Sequence, residues 1–496
     1  MSTLTDVYRG SLALLTDLYQ LTMAYGYWRA GLADTESVFH LTFRKSPFGG
    51  GYALACGLAT AAEHLAAFRF DASDVEHLAT LRGNDGAPLF DRGYLDVLSS
   101  MRLSLDVDAV PEGTVVFPHE PLVRVRGPIL QAQLVETALL TVVNFQTLVA
   151  TKAARVCHAA KGDPVLEFGL RRAQGIDGGL SASRAAYVGG CAATSNVLAG
   201  KHWGIPVRGT HAHAWVMLFD DELESFRRYA DAMPNNCVFL VDTYDTRQGV
   251  RNAITVGREL AARGHRMIGI RLDSGDLAEL AKDARKMLDE AGFADAAIVA
   301  SNDLDEHLVE SLKVQGAPIG IWGVGTRLVT GGDQPALGGV YKLAAIRDAQ
   351  GGWVPKLKVS EQTIKISTPG VLQTRRFRGP EGHLADVVWD ESHPEPDRFR
   401  LVDAFDSTRR REIPAGTPYE DLLVPVFHGG SLVGPLPDVH VARARAHEQI
   451  AALPAAVRRF LNPHSYPVGL EEGLHDRKTE LILQARKEAM LLTSSR

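Results

Sequence analysis

The sequence MIGIRLDSGD, residues 267–276, is a short apolar run that ends in a polar junction containing glycine. An amphipathic helical pattern follows from Asp276 to Ala291. The apolar run has the length of a buried strand, and strands that lead directly into helices are the repeating units of parallel α/β folds. The stretch therefore predicts one strand–helix unit of an α/β domain.

The same unit recurs along the chain from about Pro164. A second clear helical pattern covers Thr246–Arg263, and alternating strands and helices predict parallel pairing through right-handed crossovers. Seven units in a row favour a closed or nearly closed α/β barrel over an open doubly wound sheet, although the count alone does not decide closure. The apolar runs are Val165–Phe168, Ile205–Arg208, Val238–Val241, Met267–Leu272, Ala297–Ala300, Ile319–Trp322 and Val340–Ala345.

The chain on either side of these units has a different pattern of apolar and polar residues. The first portion predicts an α+β domain, whereas the strand–helix alternation weakens beyond Pro369. The elements predicted there are a helix over Thr16–Trp28, strands over Ser37–Phe43 and Arg102–Val110, a hairpin region over Val115–Val125, a loop over Gly379–Asp397 and a terminal helix over Leu474–Leu492.

The bulk composition limits the classes of function. A chain of 496 residues is too long for one compact core, so two or three domains are expected. The contents of 45% hydrophobic and 23% charged residues are close to the averages of soluble globular proteins. The net charge of −6 and the lack of a long basic run argue against nucleic acid as a partner.

The sequence also predicts a cytoplasmic protein without a membrane segment. Met1–Arg9 has no cationic stretch that leads into an apolar run, so a secretory signal is not expected. Leu134–Ala150 is apolar, but Glu136 interrupts it and it is too short to cross a bilayer, so we expect a buried helix. Four scattered cysteines without a C-x-x-C pair indicate a reducing compartment: Cys56, Cys157, Cys191 and Cys237.

The residues that follow the apolar runs are suited to a phosphorylated substrate. Active sites of α/β barrels lie at the carboxyl ends of the strands, which is where these junctions are. Arginine binds phosphate or carboxylate through a bidentate fork, glycine-rich loops offer backbone N–H groups to phosphate, and carboxylates such as Asp273 and Asp276 can hold Mg²⁺ or ribose hydroxyls. The junctions are Gly169–Arg172, Gly209–His213, Asp242–Asp245, Asp273–Asp276, Ser301–Asp303 and Gly323–Thr326.

The pair His211 and His213 also allows a metal hypothesis. Residues two apart on a strand face the same side, and some barrel hydrolases bind zinc in this way. Such a site needs further ligands from other strand ends, and neither His265 nor His307 is suitably placed. A metallohydrolase is therefore the weaker interpretation of this pair.

Five motifs lie in order between about residue 14 and about residue 370: Thr16–Met23, Glu167–Gln174, Gly209–His213, Arg271–Asp276 and Gly323–Thr326. They are similar to the motifs of nicotinate phosphoribosyltransferases, which join nicotinate to phosphoribosyl pyrophosphate with the help of ATP hydrolysis in the salvage route to NAD. A weaker match, Lys358–Ser360 with Thr368–Gly370, resembles a stretch near the phosphate site of that family.

The resemblance implies an architecture and a partner subunit. It implies an irregular α/β barrel with a second α+β domain built from N- and C-terminal segments, in a homodimer with shared active sites. On this basis we expect residues 1–135 to form the N-terminal α+β domain and residues 136–346 the barrel with the active site. Residues 347–496 would form a C-terminal segment that partly completes the N-terminal domain.

The resemblance also implies roles for individual residues. His213 matches the histidine that ATP phosphorylates, Asp273 a carboxylate that contacts ribose, and Mg²⁺ is expected with the pyrophosphate. Tyr19 and Phe168 match aromatic residues that sandwich the pyridine ring, with Tyr19 reaching across the dimer. The other expected site residues are Arg171 and Arg271 near pyridine and phosphate, Thr210 and Asn302 as substrate contacts, and Gly323, Gly325 and Thr326 in a phosphate-binding loop.

The main alternative is the related nicotinamide phosphoribosyltransferase. That enzyme has an aspartate near the amide of its substrate, whereas this chain aligns Ser195 there. An aspartate would repel a carboxylate and a serine can donate a hydrogen bond to it, which favours nicotinate. A barrel metallohydrolase and a catalytically silent nucleotide-binding regulator are the more remote alternatives.

Overall fold

The computed structural model of the protein describes residues 12–436 and 438–494. These residues form two compact units, one made of residues 12–147, 337–436 and 445–494, and the other of 148–336 and 438–444. The expectation about a signal sequence at Met1–Arg9 concerns residues outside the described ranges.

Strands and helices are distributed along the whole described chain. In chain order, the strands are β1 Glu36–Phe43, β2 Ala53–Leu54, β3 Asp106–Ala109, β4 Val115–Val116, β5 Val123–Pro128, β6 Val165–Glu167, β7 Ala193–Thr194, β8 Val238–Leu240, β9 Gly269–Leu272, β10 Ala297–Ala300, β11 Ile321–Val324, β12 Gly339–Arg347, β13 Trp353–Pro355, β14 Leu372–Gly379, β15 Gly382–Asp390, β16 Arg400–Val402, β17 Arg410–Glu412, β18 Tyr419–Asp421, β19 Val424–His428, β20 Ser431–Leu432 and β21 Val468–Glu471. The α-helices are α1 Leu18–Arg29, α2 Leu58–Ala67, α3 Ala72–Thr80, α4 Arg92–Ser100, α5 Ile129–Leu134, α6 Glu136–Ala159, α7 Gly175–Val188, α8 Val197–Trp203, α9 His213–Met217, α10 Glu222–Ala232, α11 Thr246–Ala262, α12 Leu277–Glu290, α13 Glu306–Val314, α14 Thr326–Val329, α15 Val439–Ala451 and α16 Glu472–Ser494.

The second unit is built on a parallel sheet. Its strand order, among the described residues, is β7-β6-β11-β10-β9-β8, and every neighbouring pair is parallel. The strand–helix alternation predicted from the sequence is confirmed, because helices follow most of these strands and bury their apolar faces, as α11 and α12 do. The strands carry buried apolar side chains, and Trp322 on β11 and Phe239 on β8 are fully buried.

Two of the seven predicted runs are not strands of this sheet. Ile205–Arg208 makes only one bridge, between Val207 and Thr194, and β7 at Ala193–Thr194, which the sequence did not indicate, occupies the sheet position next to β6. Val340–Ala345 lies in β12 of the first unit, because it pairs antiparallel with β1. The ladder of hydrogen-bonded strands does not close on itself within the described residues, so a closed barrel is not observed.

The first unit contains a long antiparallel sheet. Among the described residues its order is β13-β12-β1-β5-β3-β19-β20. The predicted strand Ser37–Phe43 is confirmed, and Arg102–Val110 shortens to β3. The predicted hairpin over Val115–Val125 is wrong, since β4 pairs with β2 and β5 pairs with β1 and β3. The helix expected over Thr16–Trp28 is present as α1, whose N-cap is Asp17.

A second sheet of the first unit corrects the prediction for the C-terminal region. Gly379–Asp397, predicted as a loop, contains the strand β15, which pairs with β14 and β21. The pattern was misleading because β15 is buried on both faces, so its polar residues do not alternate outward. Asp386 is fully buried and paired with the Arg376 guanidinium. The terminal helix is present as α16.

Most of the apolar segment Leu134–Ala150 lies in helix α6, as predicted, but α6 begins at Glu136 and Leu134 is the last residue of α5. No helix of the described residues is both long and apolar enough to span a membrane.

Candidate active site

The parallel sheet gathers the predicted polar junctions of the second unit. Because neighbouring strands run in one direction, their carboxyl ends meet at the same edge of the sheet, and the residues that follow each strand lie there. This edge holds the predicted site residues of the second unit, which come from the ends of β6, β7, β9, β10 and β11 and from the segment 208–213.

Arg271 and Asp273 are joined by side chains from two neighbouring junctions. The Arg271 guanidinium donates to Ser301 Oγ at 2.9 Å and to Thr210 Oγ1 at 2.6 Å, and lies 3.3 Å from Asp273 Oδ1. The Ser301 hydroxyl in turn donates a short hydrogen bond to Asp273. This network fixes one cationic and one anionic group side by side. Ser301 was not among the predicted site residues, although it stands at the expected position directly after β10.

His213 lies between a hydroxyl and a carboxylate. Its Nδ1 is 3.1 Å from Thr243 Oγ1 and its Nε2 is 3.7 Å from Asp273 Oδ2. The imidazole side chain remains 39% exposed. A histidine with both ring nitrogens near polar groups and one face open to solvent can act as a nucleophile toward phosphorus.

His211 does not face the same groups as His213. Its ring is buried, Nε2 accepts the Leu240 N–H at 3.2 Å, and Nδ1 lies 3.4 Å from the Ala212 carbonyl oxygen. Burial lowers the pKa of His211 to about 4. Both ring nitrogens are therefore engaged with backbone, which argues against the zinc pair. No group of three or more His, Cys, Asp or Glu side chains in the described part of the chain has the arrangement of a metal site.

Phe168 follows β6 and packs beside glycine residues. A Cβ atom on Gly323 would lie 2.8 and 3.0 Å from two carbons of the Phe168 ring. A Cβ atom on Gly325 would lie 3.2 Å from the Phe168 carbonyl oxygen. The glycines of the predicted phosphate loop thus leave room for the half-buried aromatic ring and its backbone.

A buried carboxylate organises the region around Phe168 and Ser195. Glu167 is fully buried and accepts from Ser183 Oγ at 2.9 Å, from Thr194 Oγ1 at 2.5 Å and from the Gly169 N–H. Its backbone carbonyl accepts the Ser195 N–H at 2.9 Å. Phe168 and Ser195 are therefore held at neighbouring strand ends, and the Ser195 hydroxyl, half-buried, has no hydrogen bond to the described residues.

The remaining predicted residues are less constrained. Arg171 lies in the 3₁₀ turn Leu170–Arg172 and is exposed, without an ion pair to a described residue. Asn302 is exposed with a φ of 96°, in the left-handed region. Thr326 begins α14, directly after Gly325.

The carboxylates at this edge have different surroundings. Asp276 caps α12, where its Oδ1 accepts the N–H groups of Ala278 and Glu279. Asp242, which the sequence placed in a junction without a role, accepts the Asp273 N–H at 2.8 Å and leaves its buried Oδ1 without a hydrogen-bond partner. Asp242 and Asp273 are thus linked through the backbone.

Tyr19 and a basic pocket belong to the first unit. Tyr19, on α1, is 47% exposed and its hydroxyl is 3.3 Å from Glu136 Oε1. The pocket is lined by Arg44, Lys342 and Lys365, none of which forms an ion pair with a described residue. Burial lowers the pKa of Lys342, the Glu136 carboxylate partly offsets this by raising it, and the positive charges of Lys358 and Arg44 lower it further. A pocket lined by several cations can bind phosphate groups.

Comparisons with known proteins identify the family to which the chain is similar. Residues 14–144 match the nicotinate phosphoribosyltransferase (NAPRTase) N-terminal domain, and residues 373–478 match the C-terminal domain of the same family. The chain is 43% identical over 484 residues to the nicotinate phosphoribosyltransferase of Bacillus subtilis, covering 96% of both chains. It is 40% identical over 464 residues to nicotinate phosphoribosyltransferase pncB2 of Mycobacterium tuberculosis strain H37Rv, covering 93% of this chain and 92% of that one.

A solved structure shows the same fold. The crystal structure of human nicotinic acid phosphoribosyltransferase superposes with a TM-score of 0.82 at 34% identity, covering 94% of this chain and 99% of the human one. The family resemblance that the motifs indicated is therefore confirmed. The chain belongs to the nicotinate phosphoribosyltransferase family.

Proposed function

We propose that this protein forms nicotinate mononucleotide and pyrophosphate from nicotinate and phosphoribosyl pyrophosphate in NAD salvage, coupled to ATP hydrolysis through His213. The observation that carries the coupling is the placement of His213, with Thr243 Oγ1 at 3.1 Å, Asp273 at 3.7 Å and one face open to solvent. The relatives named above support the substrate pair.

The coupling step is a phosphoryl transfer to imidazole and then to water. A ring nitrogen of His213 attacks the γ-phosphorus of ATP, the bond from that phosphorus to the bridging oxygen breaks, and ADP leaves. Water later attacks the same phosphorus, the P–N bond breaks, and phosphate departs while imidazole is restored. Arg271, 3.3 Å from Asp273, supplies positive charge where phosphate oxygens approach.

The synthetic step is a substitution at the anomeric carbon of ribose. The pyridine nitrogen of nicotinate forms a bond to that carbon, the carbon–oxygen bond to pyrophosphate breaks, and pyrophosphate leaves. Phe168 offers a flat apolar face for the ring, and Ser195 has a free hydroxyl that can donate to the carboxylate. Arg171 and Thr210 would neutralise and orient the anionic ends, while Asn302, Gly325 and Thr326 would line the ribose phosphate.

Mg²⁺ would neutralise the pyrophosphate during its departure. Magnesium usually keeps several waters and binds through one or two carboxylates together with substrate phosphates. Asp273 and Asp276 were the expected ligands, and the buried, unpartnered Oδ1 of Asp242 makes that carboxylate a third candidate. The residues present therefore fit the ion.

We also propose that the parallel sheet curls into an irregular barrel. Its strands follow chain order from β8 to β11, and the last strand β11 pairs with the first strand β6, which is the neighbour relation of a barrel. The remaining opening lies between β7 and β8, and the segment 205–208 bridges to Thr194 on one side of it.

Exposed apolar side chains support a homodimer with shared sites. On α1 and just before it, Leu15, Leu18, Tyr19 and Met23 are 59%, 53%, 47% and 42% exposed. The turns and helix ends that follow strands of the parallel sheet also expose apolar groups: Leu170, Ile176, Val197, Met217, Leu218 and Tyr244. Burying both surfaces between two subunits would remove them from water and bring Tyr19 of one subunit to the pyridine site of the other. The cysteines, none of which forms a disulfide among the described residues, support a cytoplasmic setting.

The test is product formation by the purified protein from phosphoribosyl pyrophosphate, Mg²⁺ and either nicotinate or nicotinamide, with and without ATP. We expect product from nicotinate, a higher rate with ATP, and ADP release. The variant His213→Ala should lose the stimulation by ATP while retaining slow synthesis, because the contacts to ring and ribose remain. Product from nicotinamide alone would contradict the assignment of Ser195, and full ATP stimulation of His213→Ala would contradict the phosphohistidine.

A further inference from the structure

His211 covers part of the unpaired edge of β8, at one end of the parallel sheet. The strand β8 is an edge of the ladder, and the N–H of Leu240 points away from its partner β9. That N–H donates to His211 Nε2 at 3.2 Å. An imidazole ring thus takes the place that the carbonyl of a neighbouring strand would have.

The surroundings of the ring fix its protonation form and its position. Nε2 accepts a hydrogen bond and therefore carries no proton, which makes the ring neutral with its proton on Nδ1, next to the Ala212 carbonyl. The side chain is buried, and its ring centroid lies 4.8 Å from that of Tyr229 and 6.0 Å from that of Phe226. Burial lowers its pKa to about 4, so the neutral form persists at neutral pH.

The same segment carries His213 two residues later. His213 Nδ1 contacts Thr243, which lies three residues after Leu240 on the same strand end. Arg271 also approaches the backbone carbonyl of His211 at 3.5 Å. The ring of His211 and the ring of His213 therefore both attach the segment 210–213 to the end of β8.

We propose that His211 is a positioning residue, which places His213 for phosphorylation by tying its segment to the backbone of β8. The inference rests on the proposed function, because it concerns the phosphorylated histidine. It assigns to the first histidine of the H-x-H pair a role as hydrogen-bond acceptor, without contact to substrate.

The test compares three substitutions that differ in the acceptor they offer. His211→Gln keeps an acceptor oxygen at about the reach of Nε2, His211→Asn places its acceptor too close to the main chain, and His211→Leu has none. An exposed histidine of the same unit provides the control His202→Leu. For each variant we would measure phosphohistidine formed from ATP, the ratio of ATP-stimulated to ATP-independent synthesis, and the thermal unfolding midpoint.

We expect His211→Asn and His211→Leu to lower phosphohistidine formation and the stimulation ratio by about tenfold or more, since an unmet buried N–H and a displaced segment disfavour the reactive geometry. His211→Gln should recover most of both. A general loss of stability would lower the two synthesis rates together and leave their ratio unchanged, which would overturn the inference, as would an unaltered ratio in folded His211→Asn. If His211→Leu fails to fold, the comparison of His211→Asn with His211→Gln decides the question. If the protein without any substitution shows no stimulation of synthesis by ATP, the proposed ATP coupling itself is refuted, which is a different outcome.

Discussion

Replacing Gly323 with alanine tests why a glycine stands on β11. The family resemblance assigned Gly323 to a phosphate-binding loop, whereas the structure places its missing side chain against Phe168. The added Cβ would lie 2.8 and 3.0 Å from two ring carbons, and the optimal separation of carbon atoms is about 3.5–4.0 Å. The ring must therefore move by about 0.5–1 Å.

The size of the effect follows from the cost of overpacking. Forcing an extra methyl group into a packed site typically costs about 1–3 kcal/mol. If the whole of that free energy is lost from the stacking of nicotinate on the displaced ring, nicotinate binding weakens by about 5- to 150-fold, at 1.36 kcal/mol for each factor of ten. The half-buried ring has solvent on one side, so we expect a value near the lower end.

The assay is steady-state synthesis with nicotinate varied at saturating phosphoribosyl pyrophosphate, and then with the two substrates exchanged. Gly320→Ala is the matched control, because it precedes the same strand and its Cβ would meet nothing within 4 Å. We expect Gly323→Ala to raise KM for nicotinate, leave KM for phosphoribosyl pyrophosphate within about twofold, and preserve phosphohistidine formation.

Two results would refute this reasoning. An unchanged KM for nicotinate in a folded Gly323→Ala protein would show that the ring position does not matter for binding. A selective rise in KM for phosphoribosyl pyrophosphate would show that Gly323 serves the phosphate, as the motif alone suggested.

Three further outcomes are expected. Ser195→Asp should lower kcat/KM for nicotinate by about 10- to 100-fold and favour nicotinamide, because a carboxylate repels a carboxylate; an unchanged ratio of the two substrates would contradict the role of Ser195. Mixing the inactive variants Tyr19→Ala and Arg171→Ala should restore some activity if subunits share sites, whereas complete absence of recovery in verified heterodimers would mean that each subunit is self-contained. The third outcome concerns pH. With the pKa of His211 lowered to about 4, the unfolded chain binds more protons than the folded one between pH 6.5 and pH 4, so acidification destabilises the fold. From pH 7.5 to pH 5 the His211 contribution to the free energy of unfolding falls by about 2 kcal/mol. Urea unfolding of His211→Gln should lose this part of the slope, and an identical slope would refute it.

Local sequence patterns predicted most of the strands and helices of the second unit. The strands at Val165, Val238, Gly269, Ala297 and Ile321 are short apolar runs with polar ends, and a run of that kind has few other stable arrangements when helices follow it. The motifs at their ends then indicated the family, because each has a distinct chemical content. Helices α11 and α12 were equally clear, since their apolar stripes repeat at helical spacing.

Local sequence patterns could not predict which strands pair with each other. The run at Val340–Ala345 is as apolar as its predecessors, but it pairs with β1, about three hundred residues earlier, and this choice depends on a partner that a window of sequence does not contain. The strand β15 was missed for a related reason. Burial on both faces and the Arg376–Asp386 pair remove the alternation by which strands are recognised.

The kinds of residue at the carboxyl edge of the parallel sheet were predictable from the chain alone: histidine, carboxylates, arginines, an aromatic ring and glycines, at the ends of predicted strands. Their mutual relations depend on the tertiary structure. Ser301 joins Arg271 to Asp273, and Gly323 makes room for Phe168. His211 accepts a hydrogen bond from the backbone of β8, whereas His213 lies beside Thr243 and Asp273 and stays partly exposed. The physical reason is that residue type and spacing encode local chemistry and periodicity, whereas hydrogen-bond partners and close packing are set by which distant strands become neighbours.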